Sequence, residues 1–206
     1  PKYSDIKSRS EVNLSSNLST GINLDLPVMS SPMDTVTESA MAVAMQKAGG
    51  LGIIHRYNSV GQQAELVRGA ITSGAKYVAA AIGVTGDYEE RACILYDAGA
   101  RIICLDIAHG HHAMMKSAIK NLKKVFGDDV HIMAGNVASL EAFDDLSKWG
   151  ADSIRVGIGG GSICSTRIVT GHGVPTLQSV LDCSRSVYDT KIIADNSLPV
   201  VTTTKY

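Results

Sequence analysis

Short apolar runs and helical patterns alternate along this chain from residue 26 to residue 195. Leu26–Ser30, Leu51–His55, Tyr77–Ile82, Arg101–Ile107, His131–Ala134, Ser153–Val156 and Lys191–Ala194 read as strands. Between them lie stretches with apolar residues at helical spacing. These are Thr37–Ala48, closed by Gly49-Gly50; Val60–Ala70, with Gln62, Gln63, Glu65 and Arg68 on a solvated face; and Asp87–Ala98, with Asp87 as the expected N-cap. His112–Phe126, Leu140–Trp149 and about Thr176–Tyr188 follow. Continuous apolar strands separated by helices indicate repeated βα units around a parallel sheet. Strand starts recur roughly every 25 residues, about one strand, one helix and two short loops. Six such units and a seventh strand exceed one half of a doubly wound sheet and predict an α/β fold of the (β/α)8 TIM-barrel type.

The end of the pattern departs from that plan. Only Asn196-Ser197-Leu198 separates the seventh strand from Pro199–Thr203, and a crossover helix with its loops needs about ten residues or more. A seventh helix and a conventionally connected eighth strand are therefore not expected, and the sheet is expected to keep two unpaired edges. Residues 1–206 read as a single catalytic domain, with residues expected to be missing after 195.

Composition narrows the partners. A net charge of -1 and a pI near 6.7 give no electrostatic case for nucleic acid or an anionic membrane. No apolar run approaches the roughly 18 residues that span a bilayer. The four cysteines, Cys93, Cys104, Cys164 and Cys183, lack C-x-x-C pairing and metal-type spacing, which reads as reduced thiols in the cytoplasm. Cys93 and Cys104 are expected in the core and Cys183 in a helix; only Cys164 has a polar, glycine-rich setting.

That setting carries the candidate chemistry. The strand Ser153–Val156 runs into Gly157-Ile158-Gly159-Gly160-Gly161-Ser162-Ile163-Cys164-Ser165-Thr166-Arg167. Its glycines let backbone N–H groups approach a phosphate, and a cysteine just beyond can attack an electrophilic carbon of the same ligand. In a βα barrel the active site lies at the C-terminal ends of the strands. There the sequence puts Ser30, Ser31, Met33, Asp34, His55, Arg56, Asp106, His109, His111, His112, Asn136, Cys164 and Asp195. Asp34, like Asp87, is also a capable helix cap. The three histidines lack the i, i+4 spacing of a catalytic zinc site and read as pocket-lining residues that open the next helix.

Several of these segments together resemble the IMP dehydrogenase family and its close relative GMP reductase. The resemblance rests on Ser30-Ser31-Pro32-Met33-Asp34-Thr35-Val36-Thr37-Glu38, Gly50–His55, Ile82–Asp87, Asp106–His111, Ala134–Val137, Gly157–Pro175 and Ile192–Asp195. It implies oxidation of IMP to XMP with NAD, Cys164 adding to carbon 2 of the purine to form a covalent thioimidate. Thr166 would lie beside the reacting carbon; Ser31, Met33, Ser162 and Asp195 would contact the nucleotide; Asp106 and Asn136 would face the nicotinamide. Carbonyls of Gly159, Gly161 and Cys164 would hold a monovalent cation, typically potassium, and the protein would be a homotetramer. The family's paired CBS regulatory module has no room between Arg68 and Lys76. The segments tilt toward the dehydrogenase; GMP reductase and a truncated, non-catalytic nucleotide-binding paralogue are the alternatives.

Overall fold

The structure is a computed structural model that describes residues 3, 5–19, 21–161 and 164–195, and the backbone of 200–204. A small antiparallel hairpin, β1 (Ser16–Ser19) and β2 (Ile22–Leu24), precedes the main sheet. Then β3 (Val28–Ser30), α1 (Ser39–Lys47), β4 (Leu51–Ile54), α2 (Val60–Thr72), β5 (Ala79–Ile82) and α3 (Tyr88–Asp97) follow in order. They continue with β6 (Ile102–Asp106), α4 (Ala113–Phe126), β7 (His131–Val137), α5 (Leu140–Trp149) and β8 (Ser153–Val156). The chain ends with α6 (Thr166–Thr170), α7 (Thr176–Cys183), β9 (Lys191–Ala194) and β10 (Val200–Thr204).

Strands β3 to β9 pair in sequence order, all parallel, as the βα repeat predicts. The expected open edges are closed: β10 pairs antiparallel with both β9 and β3, completing a barrel. A short connection brings a chain back antiparallel, whereas a parallel return needs a crossover. The last strand therefore fills the eighth position with reversed direction. The helices begin where the sequence supplies acceptors. Ser59 and Gln62 form a reciprocal capping box on α2, Ser139 caps α5, and the His112 ring accepts from the Met114 N–H at α4. Asp87 makes no capping bond and pairs with Arg91 instead, and Asp34 lies in an exposed turn outside any helix. The α7 helix stops at Cys183, short of Tyr188.

Two apolar layers follow from the two-residue period of the strands. Ile54, Ala80, Ile82, Ile103, Leu105, Ile132, Ile154 and Val156 face the helices. Their neighbours Ile53, Ala79, Ala81, Ile102, Cys104, Met133 and Ile193 face the barrel interior, where Leu18, Ile22 and Leu24 of the hairpin join them. The hairpin thus packs its apolar side chains into the barrel end opposite the candidate site. Cys93, expected in the core, is exposed on α3, while Cys104 and Cys183 are buried.

Candidate active site

The same alternation brings charge inside. Counting by twos along the inward positions leads from Ile102 and Cys104 to Asp106, from Ser153 to Arg155, and from Ile193 to Asp195. The three charges meet at the barrel mouth. Arg155 Nη1 donates to Asp106 Oδ1 at 2.5 Å, and Nη2 donates to Asp195 Oδ2 at 2.7 Å. Arg155 on β8 is in register with Gly135 on β7, which is in register with Asp106 on β6. A Cβ at position 135 would sit 2.7 Å from the Arg155 Cβ, so glycine there clears the path of the guanidinium across β7. Asn136 Nδ2 donates to Asp195 Oδ2 at 2.7 Å and to the Gly157 carbonyl at 2.8 Å, tying the carboxylate to the start of the glycine loop. On the other side, Arg56 Nε approaches Asp106 Oδ2 at 3.7 Å and is buried without a hydrogen-bond partner among the described residues.

Burial opposes the charge on Arg155, but Cys104, Asp106 and Asp195 raise its pKa on balance. Because burial pushes the Cys104 thiol itself up to about 12, that thiol is neutral near pH 7. The two carboxylates are therefore what keep the guanidinium charged.

A cleft of about 510 Å³ opens over this cluster. Its wall includes Met33, Arg56, Tyr57, Asp106, Asn136, Arg155, Gly159, Cys164, Thr166 and Asp195. Polar groups following five different strands thus converge, and Cys164 faces the ionic cluster across the cleft. The Cys164 thiol lies below its ordinary pKa. The Thr166 hydroxyl bonded to the sulfur is the main cause, the Thr166 backbone N–H adds to it, and the Arg167 charge helps. Hydrogen bonds to the sulfur favour the thiolate, the nucleophilic form.

Of the remaining expected residues, Ser31 is buried beside the cleft and does not line it; its carbonyl accepts from Thr37 Oγ1 at 2.6 Å. Ser162 lies outside the described residues. The Gly161 carbonyl accepts from the Cys164 N–H at 3.3 Å and from Arg167 Nη2 at 3.1 Å. Both of its lone pairs are thus engaged. Of the carbonyls expected to hold a monovalent cation, that of Gly161 does not fit one here, since an ion at that oxygen would meet the guanidinium. His109, His111 and His112, expected to line the pocket, do not line this cleft: His111 Nε2 pairs with Asp145 Oδ2 at 3.0 Å and stacks on Trp149, and His112 caps α4.

Sequence reading missed Arg155. The signal was present, a lone charge at an inward position of an otherwise apolar strand, which demands partners.

The class defined by these features is a βα barrel carrying a cysteine of lowered pKa over a buried guanidinium shared by two carboxylates. Residues 1–202 match the IMP dehydrogenase / GMP reductase domain, and the chain belongs to that family. Among its relatives, the inosine-5'-monophosphate dehydrogenase of Nitrosopumilus maritimus is 30% identical over 98% of this chain and 67% of its own length. That of Cryptosporidium parvum is 37% identical, covering 96% and 59% respectively. A GMP reductase from Leishmania major is 28% identical, covering 90% and 65%. The chain thus spans roughly three fifths to two thirds of these relatives. No helix among the described residues is long and apolar enough to cross a membrane.

Proposed function

We propose that this chain carries the catalytic site of an IMP dehydrogenase, oxidising IMP to XMP with NAD. The observation that supports it most is Cys164, hydrogen-bonded by Thr166 and facing Asp195, Arg155 and Asp106 across one cleft. The Cys164 thiolate adds to carbon 2 of the hypoxanthine ring, forming a C–S bond, and the hydrogen on that carbon departs with its electron pair as hydride. When bound, the nicotinamide supplies the hydride acceptor. Water then adds to the same carbon, and the C–S bond breaks to release XMP and the thiol. Asp195 accepts hydrogen bonds from the nucleotide ribose, held in place by Arg155 Nη2 and Asn136. Met33 packs against the base.

The residues around Asp106 fit a nicotinamide riboside. Its carboxylate is an acceptor for ribose hydroxyls, the unpartnered Arg56 N–H is a donor, and the Tyr57 ring gives an aromatic wall. Asn136 contributes from that side by fixing the Asp195 carboxylate. Ser162 completes the nucleotide contacts in this reading, and the enzyme acts as a homotetramer in the cytoplasm.

GMP reductase is the second reading, favoured by the Leishmania relative. Incubation with IMP plus NAD against GMP plus NADPH separates the two. NADH formation that disappears in Cys164→Ala supports the dehydrogenase. NADPH consumption with GMP supports the reductase, and neither signal favours a non-catalytic nucleotide binder. NADH formation that persists in Cys164→Ala would remove the cysteine from the mechanism.

A further inference from the structure

We propose that the Arg167 guanidinium takes the place of a monovalent metal ion at the nucleophile loop, holding the Gly161 carbonyl that also accepts the Cys164 N–H. The Gly161 carbonyl accepts the Cys164 N–H, and its second lone pair takes Arg167 Nη2. A guanidinium suits this position: it is always charged, weakly hydrated and presents planar donors to a carbonyl. Being part of the chain, it is supplied at high effective concentration with no ion to recruit.

The arginine stem runs in a slot made by two glycines. A Cβ at Gly159 would lie 2.9 Å from Arg167 Cγ, and one at Gly173 would lie 2.7 Å from Cγ and 3.0 Å from Cδ. The walls are held together from outside, because Ile158 and Val174 form an antiparallel bridge with Val174 N–H on the Ile158 carbonyl at 3.0 Å. At the far end, the Arg167 carbonyl accepts the Gly171 N–H that closes α6. Both flanks of the loop are thus built around the arginine. The residue remains open to solvent on its outer side, so the Gly161 carbonyl is reachable by an ion once the guanidinium is removed.

The inference rests on the loop and not on the identity of the substrate, and its test uses neither nucleotide nor turnover. Amide hydrogen exchange of the segment 157–175 is followed by mass spectrometry in potassium chloride and in choline chloride at matched ionic strength. Wild type is expected to be equally protected in both salts. Arg167→Gln is expected to exchange about fivefold faster in choline, as for one lost charge-assisted hydrogen bond, and to recover in potassium. Gly173→Ala, which fills the slot and leaves the arginine intact, is expected to behave like Arg167→Gln, while Arg167→Lys keeps most of the protection. Protection of the wild type that depends on potassium would overturn the proposal. So would an Arg167→Gln loop that is unchanged, or one that loosens without responding to potassium.

Discussion

Thr166 bonds the Cys164 sulfur through both its hydroxyl and its backbone N–H, and only the hydroxyl can be removed by substitution. The folded thiol lies below its ordinary value of 9.0, so the thiolate persists to lower pH than in a free cysteine. In Thr166→Val the midpoint of the pH profile for Cys164 alkylation should move up toward that value. Following the Cys164 peptide by mass separates it from the exposed Cys93. An unmoved midpoint would mean the hydroxyl does not act on the sulfur. Arg155 is the other residue on which the site turns. Replacing it with Met removes the buried guanidinium that half-buried Asp106 and Asp195 share, a loss of about 3 to 5 kcal/mol by comparison with other broken buried pairs. Urea unfolding at pH 7 measures it, and a loss under about 1 kcal/mol would mean the pair relaxes into water. Of the cleft residues, Cys164, Asp106 and Asp195 were legible because reactive or charged types stand beyond strand ends, whereas Thr166 was read only from the family resemblance. The partnership of Arg155 with two carboxylates from other strands was not, because it depends on register.

At the scale of elements, β8 is tied to other strands inside the barrel by polar side chains at two levels. Arg155 crosses to β6 at the mouth, and His131 Nε2 bonds Ser153 Oγ at 2.7 Å lower down. Burial holds His131 neutral, lowering its pKa from 6.5 to about 4. The unfolded chain therefore binds a proton between pH 6.5 and about 4 that the folded chain does not, so stability falls as pH falls through that window. The contribution is on the order of 3 kcal/mol across the whole window. His131→Asn should flatten the fall in unfolding free energy between pH 6.5 and 4, read from urea titrations at several pH values. A slope identical to wild type would exclude His131 as its source. The helices and inner strands follow closely from the apolar period. The β1–β2 hairpin and the short α6 were not foreseen, since each is too brief for a period to register and each is stabilised mainly by what it packs against.

For the whole molecule, closure rests on a strand that pairs against the direction of the rest. Thr202 is paired with Val28 on β3 and with Ala194 on β9, so it sits in both ladders of the seam. Proline there cannot donate to either ladder. Thr202→Pro should raise amide exchange along β3 and β9 and lower the melting temperature, while β6 to β8 on the opposite side keep their protection. Protection unchanged at β3 and β9 would mean the seam contributes little. Asp195 follows β9 directly, so an opened seam should also loosen the cleft wall that Asp195 forms.

The repeat of strand and helix, the parallel order, and the placement of a reactive cysteine after a glycine-rich turn were fixed locally. They depend on period, on chain connectivity and on which residues permit which backbone angles, all of which act over a few residues. Tertiary structure decided the rest. It reversed the last strand because the five residues between β9 and β10 cannot carry a crossover. It set Asp106, Gly135 and Arg155 in one register row, and it brought Arg155 onto Asp195. These outcomes depend on distances between segments far apart in the chain, and such distances exist only once the barrel has closed.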